Sequence, residues 1–327
     1  MGVSIDSLEY SIWSRERFEE WRRGGLDAVH VTCAIWEDQR EAVREVTRMR
    51  RHIRDNSDIL ALATSGAEIR AAKSAGKTAV IIGFQNASPL EDDLDLVDAF
   101  HALGVRIIQL TYNIQNLVGG SCYEEKDGGV SSRFGRNVIR EMNRVGVLVD
   151  LSHCGEQTCL DAIEISERPV AITHGNPAEF VGDTIELRQR NRSNRVIQAL
   201  TERGGMIGLS MYPRIAPDGP NVTLKRFCEM VAWTAERFGA EKIGIGSDLY
   251  LEQPADRILW WRAGRWAREP LVPIRSGLPE FPEWFRTPAD FQNVAAGLKV
   301  HGFKPHEVEG VMGENWLRFF DKAWKPA

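Results

Sequence analysis

The chain alternates short runs of apolar residues with longer segments of helical character, and this alternation is the strongest constraint on its fold. Eight such runs occur. They are continuously hydrophobic instead of alternating with polar residues, which is typical of strands buried on both faces of a parallel sheet. The runs span residues 3–5, 26–32, 78–84, 105–111, 145–150, 169–173, 206–209 and 242–247.

Eight βα units in 327 residues favour a (β/α)8 TIM-type barrel over an open, doubly wound sheet. No G-x-G-x-x-G motif opens a helix after the first predicted strand, which argues further against a dinucleotide-binding sheet. No low-complexity linker divides the sequence. We therefore predict a single barrel domain over residues 1–327, with C-terminal helices at 289–298 and 305–311.

The alternation stops after the eighth predicted strand. Residues from about 249 to 287 are rich in Trp, Arg and Pro, and they include Trp260, Trp261 and Trp266. We predict a long loop here, at the end of the barrel where active sites lie. Two interpretations stay open: a cover over the active-site mouth, and a structural cap or subunit contact, as in a homodimer.

Composition narrows the range of partners. The net charge of −5 argues against a nucleic acid or an anionic membrane surface as the main partner, so a small molecule is expected. No run approaches the ~18 apolar residues of a membrane span, and the N-terminus does not resemble a signal peptide. The five cysteines are scattered without a CxxC motif, which is typical of reduced thiols. We therefore expect a cytoplasmic protein.

Polar residues end most of the predicted strands. In a barrel of this kind the C-terminal ends of the strands carry the chemistry, so these side chains are expected to converge on one mouth. Two successive strands end on a histidine, which suggests either metal ligands or an acid–base pair. The candidates are Asp6, Gln85, Asn86, Tyr112, Asn113, His153, His174 and Asp248.

Several motifs resemble those of the membrane (renal) dipeptidases, which are zinc-dependent peptidases. They are LSH at 151–153, PV-x-x-x-H at 169–174, QRN at 189–191, GIGSD at 244–248 and MGENWLRFF at 312–320. The likeness runs along almost the whole chain. It implies a barrel of the metal-dependent hydrolase kind, a binuclear zinc site in active members, and hydrolysis of dipeptides with broad side-chain tolerance.

The resemblance also implies roles for individual residues. His153 and His174 match the two histidines that bind the second metal. Arg190 matches the arginine that binds the substrate carboxylate. Asp248 matches the acidic residue that handles the attacking water and the leaving amine.

Four positions depart from the family pattern. Where the family has a histidine and an aspartate for the first metal, this sequence has Leu8 and Tyr10. Gln85 replaces the glutamate that bridges both metals, and Tyr112 replaces a substrate-contacting histidine. Two dications a few ångströms apart need anionic ligands to offset their repulsion, so we predict one zinc or none. Glu9 would have to turn inward to replace a lost ligand, which the sequence leaves open.

The main hypothesis is a dipeptidase-like hydrolase acting on a dipeptide or small amide with a free carboxylate. At most one zinc would lie on His153 and His174, with Gln85 as a weak ligand and Asp248 as the general base.

The substrate is expected to contact Arg190, Tyr112 and Asn113, with its carboxylate on the guanidinium. Two alternatives stay open: a metal-independent acid–base enzyme acting on a small zwitterionic metabolite, and a non-catalytic homologue that binds a small molecule.

Overall fold

A barrel of parallel strands forms the centre of the fold, seen in a computed structural model that describes residues 2–124, 126–182, 184–265, 268 and 279–325. The strands of these residues are β1 (Ile5–Glu9), β2 (Ala28–Ala34), β3 (Leu60–Leu62), β4 (Thr78–Phe84), β5 (Val105–Gln109), β6 (Leu148–Asp150), β7 (Ala171–Ile172), β8 (Met206–Leu209) and β9 (Ile243–Ile245). Because β1 pairs with β2 and β9, and β2 pairs with β4, eight strands close into a ring. The predicted (β/α)8 barrel is confirmed.

Two strands differ from the prediction. The first barrel strand runs over Ile5–Glu9, further along the chain than the predicted 3–5, so Asp6 lies inside the strand and not at its end. The Asp6 carboxylate accepts hydrogen bonds from the backbone N–H groups of Leu8 and Ser247. Strand β3 lies outside the ring, paired with β4, in the segment between the second and third predicted strands. Three residues are too few to show a strand pattern beside a long charged helix.

Helices surround the barrel, and the main apolar core lies between the two layers, where Trp21, Phe100 and Phe227 are buried. Several begin at a side-chain cap, such as the Asp38 capping box of α2. The helices are α1 (Arg15–Arg23), α2 (Gln39–Asp55), α3 (Gly66–Ser74), α4 (Asp95–Ala102), α5 (Arg133–Val145), α6 (Glu156–Ile165), α7 (Ala178–Val181), α8 (Ile185–Arg190), α9 (Asn194–Glu202), α10 (Leu224–Phe238), α11 (Ala255–Ala263), α12 (Gln292–Val300), α13 (Pro305–Met312) and α14 (Glu314–Ala323). None of the helices in the described ranges is both long and apolar enough to cross a membrane.

The segment after β9 contains more regular structure than the predicted loop. Helix α11 occupies Ala255–Ala263 and ends at Gly264, whose φ of 82° suits glycine. Trp261 is buried against the barrel mouth and accepts, through its backbone carbonyl, a hydrogen bond from the Trp36 indole. Trp266 lies outside the described residues. The homodimer stays a prediction.

The glycines of the GIGSD motif have a packing role. A Cβ on Gly246 would lie 1.9 Å from the carbonyl oxygen of Thr173, inside the barrel. A Cβ on Gly244 would lie 2.0 Å from the indole nitrogen of Trp316, which belongs to the MGENWLRFF motif and hydrogen-bonds the Ile245 carbonyl. The small residues before Asp248 therefore let neighbouring groups approach the last strand closely.

Candidate active site

Four of the predicted site residues meet at the C-terminal end of the barrel. The Nε2 atoms of His153 and His174 are 3.0 Å apart. Nη2 of Arg190 lies 2.8 Å from Nε2 of His153 and 4.0 Å from Oδ2 of Asp248. All four side chains are buried. The ends of three strands and the end of helix α8 thus bring two imidazoles, a carboxylate and a guanidinium into one cluster.

The imidazole of His153 is held in a defined orientation. Its Nδ1 lies 2.7 Å from Oδ1 of Asn113, and the Tyr112 ring stacks on it at 4.2 Å between centroids. The amide oxygen can only accept, so we infer that Nδ1 carries the proton and that Nε2 accepts from Arg190. Burial, then the charge of Arg190, lowers the pKa of His153 well below its usual value, so the ring is neutral.

His174 is positioned by a chain of hydrogen bonds that ends on a carboxylate. Thr173 donates its hydroxyl proton to Oδ2 of Asp150 at 2.6 Å, and Nδ1 of His174 lies 2.9 Å from that hydroxyl oxygen. The Thr173 hydroxyl thus links the ring of His174 to the Asp150 carboxylate. Burial and Arg190 also lower the pKa of His174 well below its usual value.

Three site residues have strained backbones. Asn113, His153 and Asp248 have φ angles of 61°, 63° and 58°, in the left-handed region that favours glycine. Such conformations cost about 1–3 kcal/mol each and persist where the surrounding structure enforces them, often at functional sites. Because three residues that follow strand ends share this strain, we infer that the positions of their side chains matter more than the local stability of the backbone.

The carboxyl group of Asp248 titrates near neutrality. Burial raises its pKa to about 7, the nearby carboxylates of Asp6 and Asp150 add to the increase, and Arg190 opposes it. A carboxylate with this pKa is matched to proton transfer at neutral pH.

The cluster opens on a small cavity of about 60 Å³, roofed by α11. His174 and Gln85 are not among its lining residues, so they lie behind the wall that the other predicted residues form. The lining residues are Tyr10, Tyr112, Asn113, Tyr123, His153, Arg190, Tyr212, Arg214, Asp248, Ile258, Trp261 and Arg262.

Sequence reasoning missed several of these residues. Tyr212 and Arg214 lie three and five residues after the seventh predicted strand, so a search extended slightly beyond the strand ends would have found them. Arg262 lies on α11, within the segment predicted as a loop, where no pattern pointed to the cavity.

The donor set does not fit the two-zinc centre that the resemblance implies. Among the described residues, no group of three or more His, Cys, Asp and Glu side chains is arranged to hold a metal ion. Gln85 donates its amide to the Thr32 hydroxyl at 2.8 Å. Glu9 turns outward and accepts a hydrogen bond from the indole of Trp21 on α1. The Nε2 lone pair of His153, which a metal would use, already accepts a hydrogen bond from Arg190.

The sequence model of the membrane dipeptidase family, peptidase family M19, matches residues 15–253. A solved structure described as an amidohydrolase from Pseudomonas aeruginosa is 37% identical, with a TM-score of 0.93 and coverage of 99% of this chain and 97% of that chain.

Two further similar proteins carry peptidase names. A metallo peptidase from Rhodobacter sphaeroides, liganded with a phosphinate mimic of L-Ala-D-Ala, shares the fold at 17% identity, with a TM-score of 0.81 over 99% of this chain and all of that chain. Dipeptidase tcpJ from Claviceps purpurea is 26% identical over 295 residues, which is 89% of this chain. The match covers only 61% of the tcpJ sequence.

Proposed function

The chain belongs to the membrane dipeptidase family, and on that basis we propose that it hydrolyses a dipeptide or another small amide that carries a free carboxylate. The observation that carries the proposal is the convergence of Arg190 and Asp248 on one buried cavity, with Nη2 and Oδ2 4.0 Å apart. A guanidinium suits carboxylate binding, and a carboxyl with a pKa of about 7 suits proton transfer next to it.

In this proposal Arg190 orients the substrate through its carboxylate. Asp248 takes a proton from the attacking water while the water oxygen bonds to the amide carbon. The same proton then passes to the nitrogen as the C–N bond breaks, which gives a carboxylic acid and an amine. The neutral imidazole of His153 offers a hydrogen-bond acceptor beside these groups.

For the metal we expect one zinc per chain or none. Relatives described as metallo peptidases make zinc the natural candidate, yet catalytic zinc sites take three protein ligands, and the described residues supply two imidazoles without a third donor. The chemistry assigned to Asp248 and Arg190 does not require a metal.

A second candidate is a metal-independent acid–base enzyme that acts on a small zwitterionic metabolite. The contact of Arg190 with the Nε2 of His153 favours it, because this contact uses the lone pair that a metal would need. A non-catalytic binding protein is the third hypothesis. Turnover by the purified protein would separate it from the first two.

The test is hydrolysis of a panel of dipeptides and N-acyl amino acids, followed by amine release, on protein purified without chelators and analysed for zinc. Asp248→Asn is expected to lower turnover about 10²–10⁴-fold while substrate binding persists. Asp218→Asn, at an exposed position with a similar backbone conformation, is the matched control. Absence of amide hydrolysis across the panel, or full activity in Asp248→Asn, would refute the proposal.

A further inference from the structure

The cavity carries more positive than negative charge. Three guanidinium groups line it, those of Arg190, Arg214 and Arg262. Among the described lining residues, Asp248 alone carries a carboxylate. A substrate with one carboxylate and one ammonium group would leave this excess of positive charge uncompensated.

Arg214 lacks a partner in the described part of the chain. Neither a hydrogen bond nor an ion pair engages its guanidinium there, and its Nε atom is buried. A buried polar N–H without a partner costs free energy that a bound anion would recover. The residue follows β8, so the barrel fixes its position at the mouth.

Arg262 differs from the other arginines near it. Arg257 on the same helix pairs with Glu37, and Arg265 just beyond the helix pairs with Asp38 and Glu41. Arg262 instead donates to the Tyr212 hydroxyl at 3.0 Å and lines the cavity, with no acidic partner among the described residues. Its charge is therefore available to a ligand.

We propose that the substrate carries a second carboxylate, bound by Arg214 and Arg262, in addition to the one bound by Arg190. The favoured class is an amide of aspartate or glutamate, such as a dipeptide with an acidic C-terminal residue. The inference rests on the proposed function for the amide bond, although the charge argument concerns the cavity alone. Guanidinium groups bind carboxylates through paired, charge-assisted hydrogen bonds, which neutral side chains cannot replace.

The cavity, at about 60 Å³, is smaller than a dipeptide, so side chains that line it must move when a substrate enters. Arg214 and Arg262 are long side chains, so they can move aside as an anion enters and still reach it. A short acyl group is therefore expected on the amide.

Two measurements test the inference, and the first of them does not depend on hydrolysis. Calorimetric binding of glutarate is compared with that of its monoamide, which has the same shape and one charge fewer. The dianion is expected to bind at least about tenfold more tightly, as charge-assisted pairs require. Arg214→Met and Arg262→Met should each reduce that ratio several-fold, whereas the exposed Arg54→Met should preserve it.

Turnover supplies the second measurement. Ala-Asp is expected to exceed Ala-Asn in kcat/KM by at least about tenfold, with the preference lowered in Arg214→Met. Equal binding of glutarate and its monoamide, or equal hydrolysis of the two dipeptides, would overturn the second carboxylate. Strong glutarate preference without amide hydrolysis anywhere in the panel would instead support the dianion site and refute the hydrolase.

Discussion

The guanidinium of Arg190 lies 2.8 Å from Nε2 of His153, so a cation already engages the imidazole that the family resemblance assigns to a metal. Asn113 holds the opposite nitrogen of this ring, and Asp248 lies 4.0 Å from the same guanidinium. The contact links substrate binding to the histidine pair, because a carboxylate that binds Arg190 competes for the same N–H donors.

Removing the guanidinium should therefore weaken substrate binding more than catalysis. Arg190→Met is expected to raise KM for amides with a free carboxylate by about 10–100-fold, the loss typical of a hydrogen bond to a charged group. Steady-state kinetics provides the check. Matched substrates whose free carboxylate is converted to an amide should show little change in KM. Arg195→Met, at an exposed position, is the control. An unchanged KM would contradict the assignment.

The pH dependence of activity should follow the carboxyl of Asp248. This group must be ionised to accept a proton, and burial raises its pKa to about 7. Below that pH the protonated fraction grows, so kcat/KM is expected to fall about tenfold per pH unit on the acid side. A rate profile from pH 5 to 9 measures this. An acid limb centred near pH 4, the value of an exposed aspartate, would show that another group controls the reaction.

Much of the barrel was predictable because its strands are buried on both faces. Continuous apolar runs such as 78–84 and 105–111 have no other common explanation in a chain that alternates with helices. Strand β3 and helix α11 could not be predicted in this way. Leu60–Leu62 is too short to show a period, and the residues of Ala255–Ala263 mix Trp and Arg without a strong apolar stripe.

The site was predictable only where a strand ends on a distinctive residue. His153, His174 and Asp248 each follow an apolar run, so topology alone places them at one mouth. The contact between Arg190 and His153 joins residues from separate segments of chain, and no local pattern encodes such a distance. The outward turn of Glu9 is likewise decided by packing against Trp21, not by its neighbours in sequence.

The close approach at Gly246 should make this position intolerant of any side chain. A Cβ there would lie 1.9 Å from the Thr173 carbonyl, a backbone group just after β7 that cannot turn away. Gly246→Ala is expected to lower the free energy of unfolding by about 1–3 kcal/mol. Gly128→Ala, where the added atom meets nothing within 4 Å, is the control in chemical denaturation. Equal midpoints for both variants would count against this packing.

Burial of Glu9 should make stability depend on pH. Burial raises its pKa from 4.5 to about 8, with a further increase from Asp6, while Arg17, Ser11 and the Trp21 indole oppose the rise. The folded state therefore holds a proton that the unfolded chain releases. Between pH 4.5 and 8 the folded state binds more protons, so the free energy of unfolding is expected to decrease as pH rises.

Glu9→Gln removes this titration while its amide oxygen can still accept from the Trp21 indole. The variant and the parent are expected to be similarly stable near pH 5, because Glu9 is protonated in the folded parent there. At pH 8 the variant should be more stable by about 3–4 kcal/mol. Urea denaturation at both pH values measures the difference, and Glu236→Gln, on the exposed face of α10, controls for loss of one negative charge. A parent whose stability rose from pH 5 to pH 8 relative to Glu9→Gln would show that Glu9 is ionised in the folded protein.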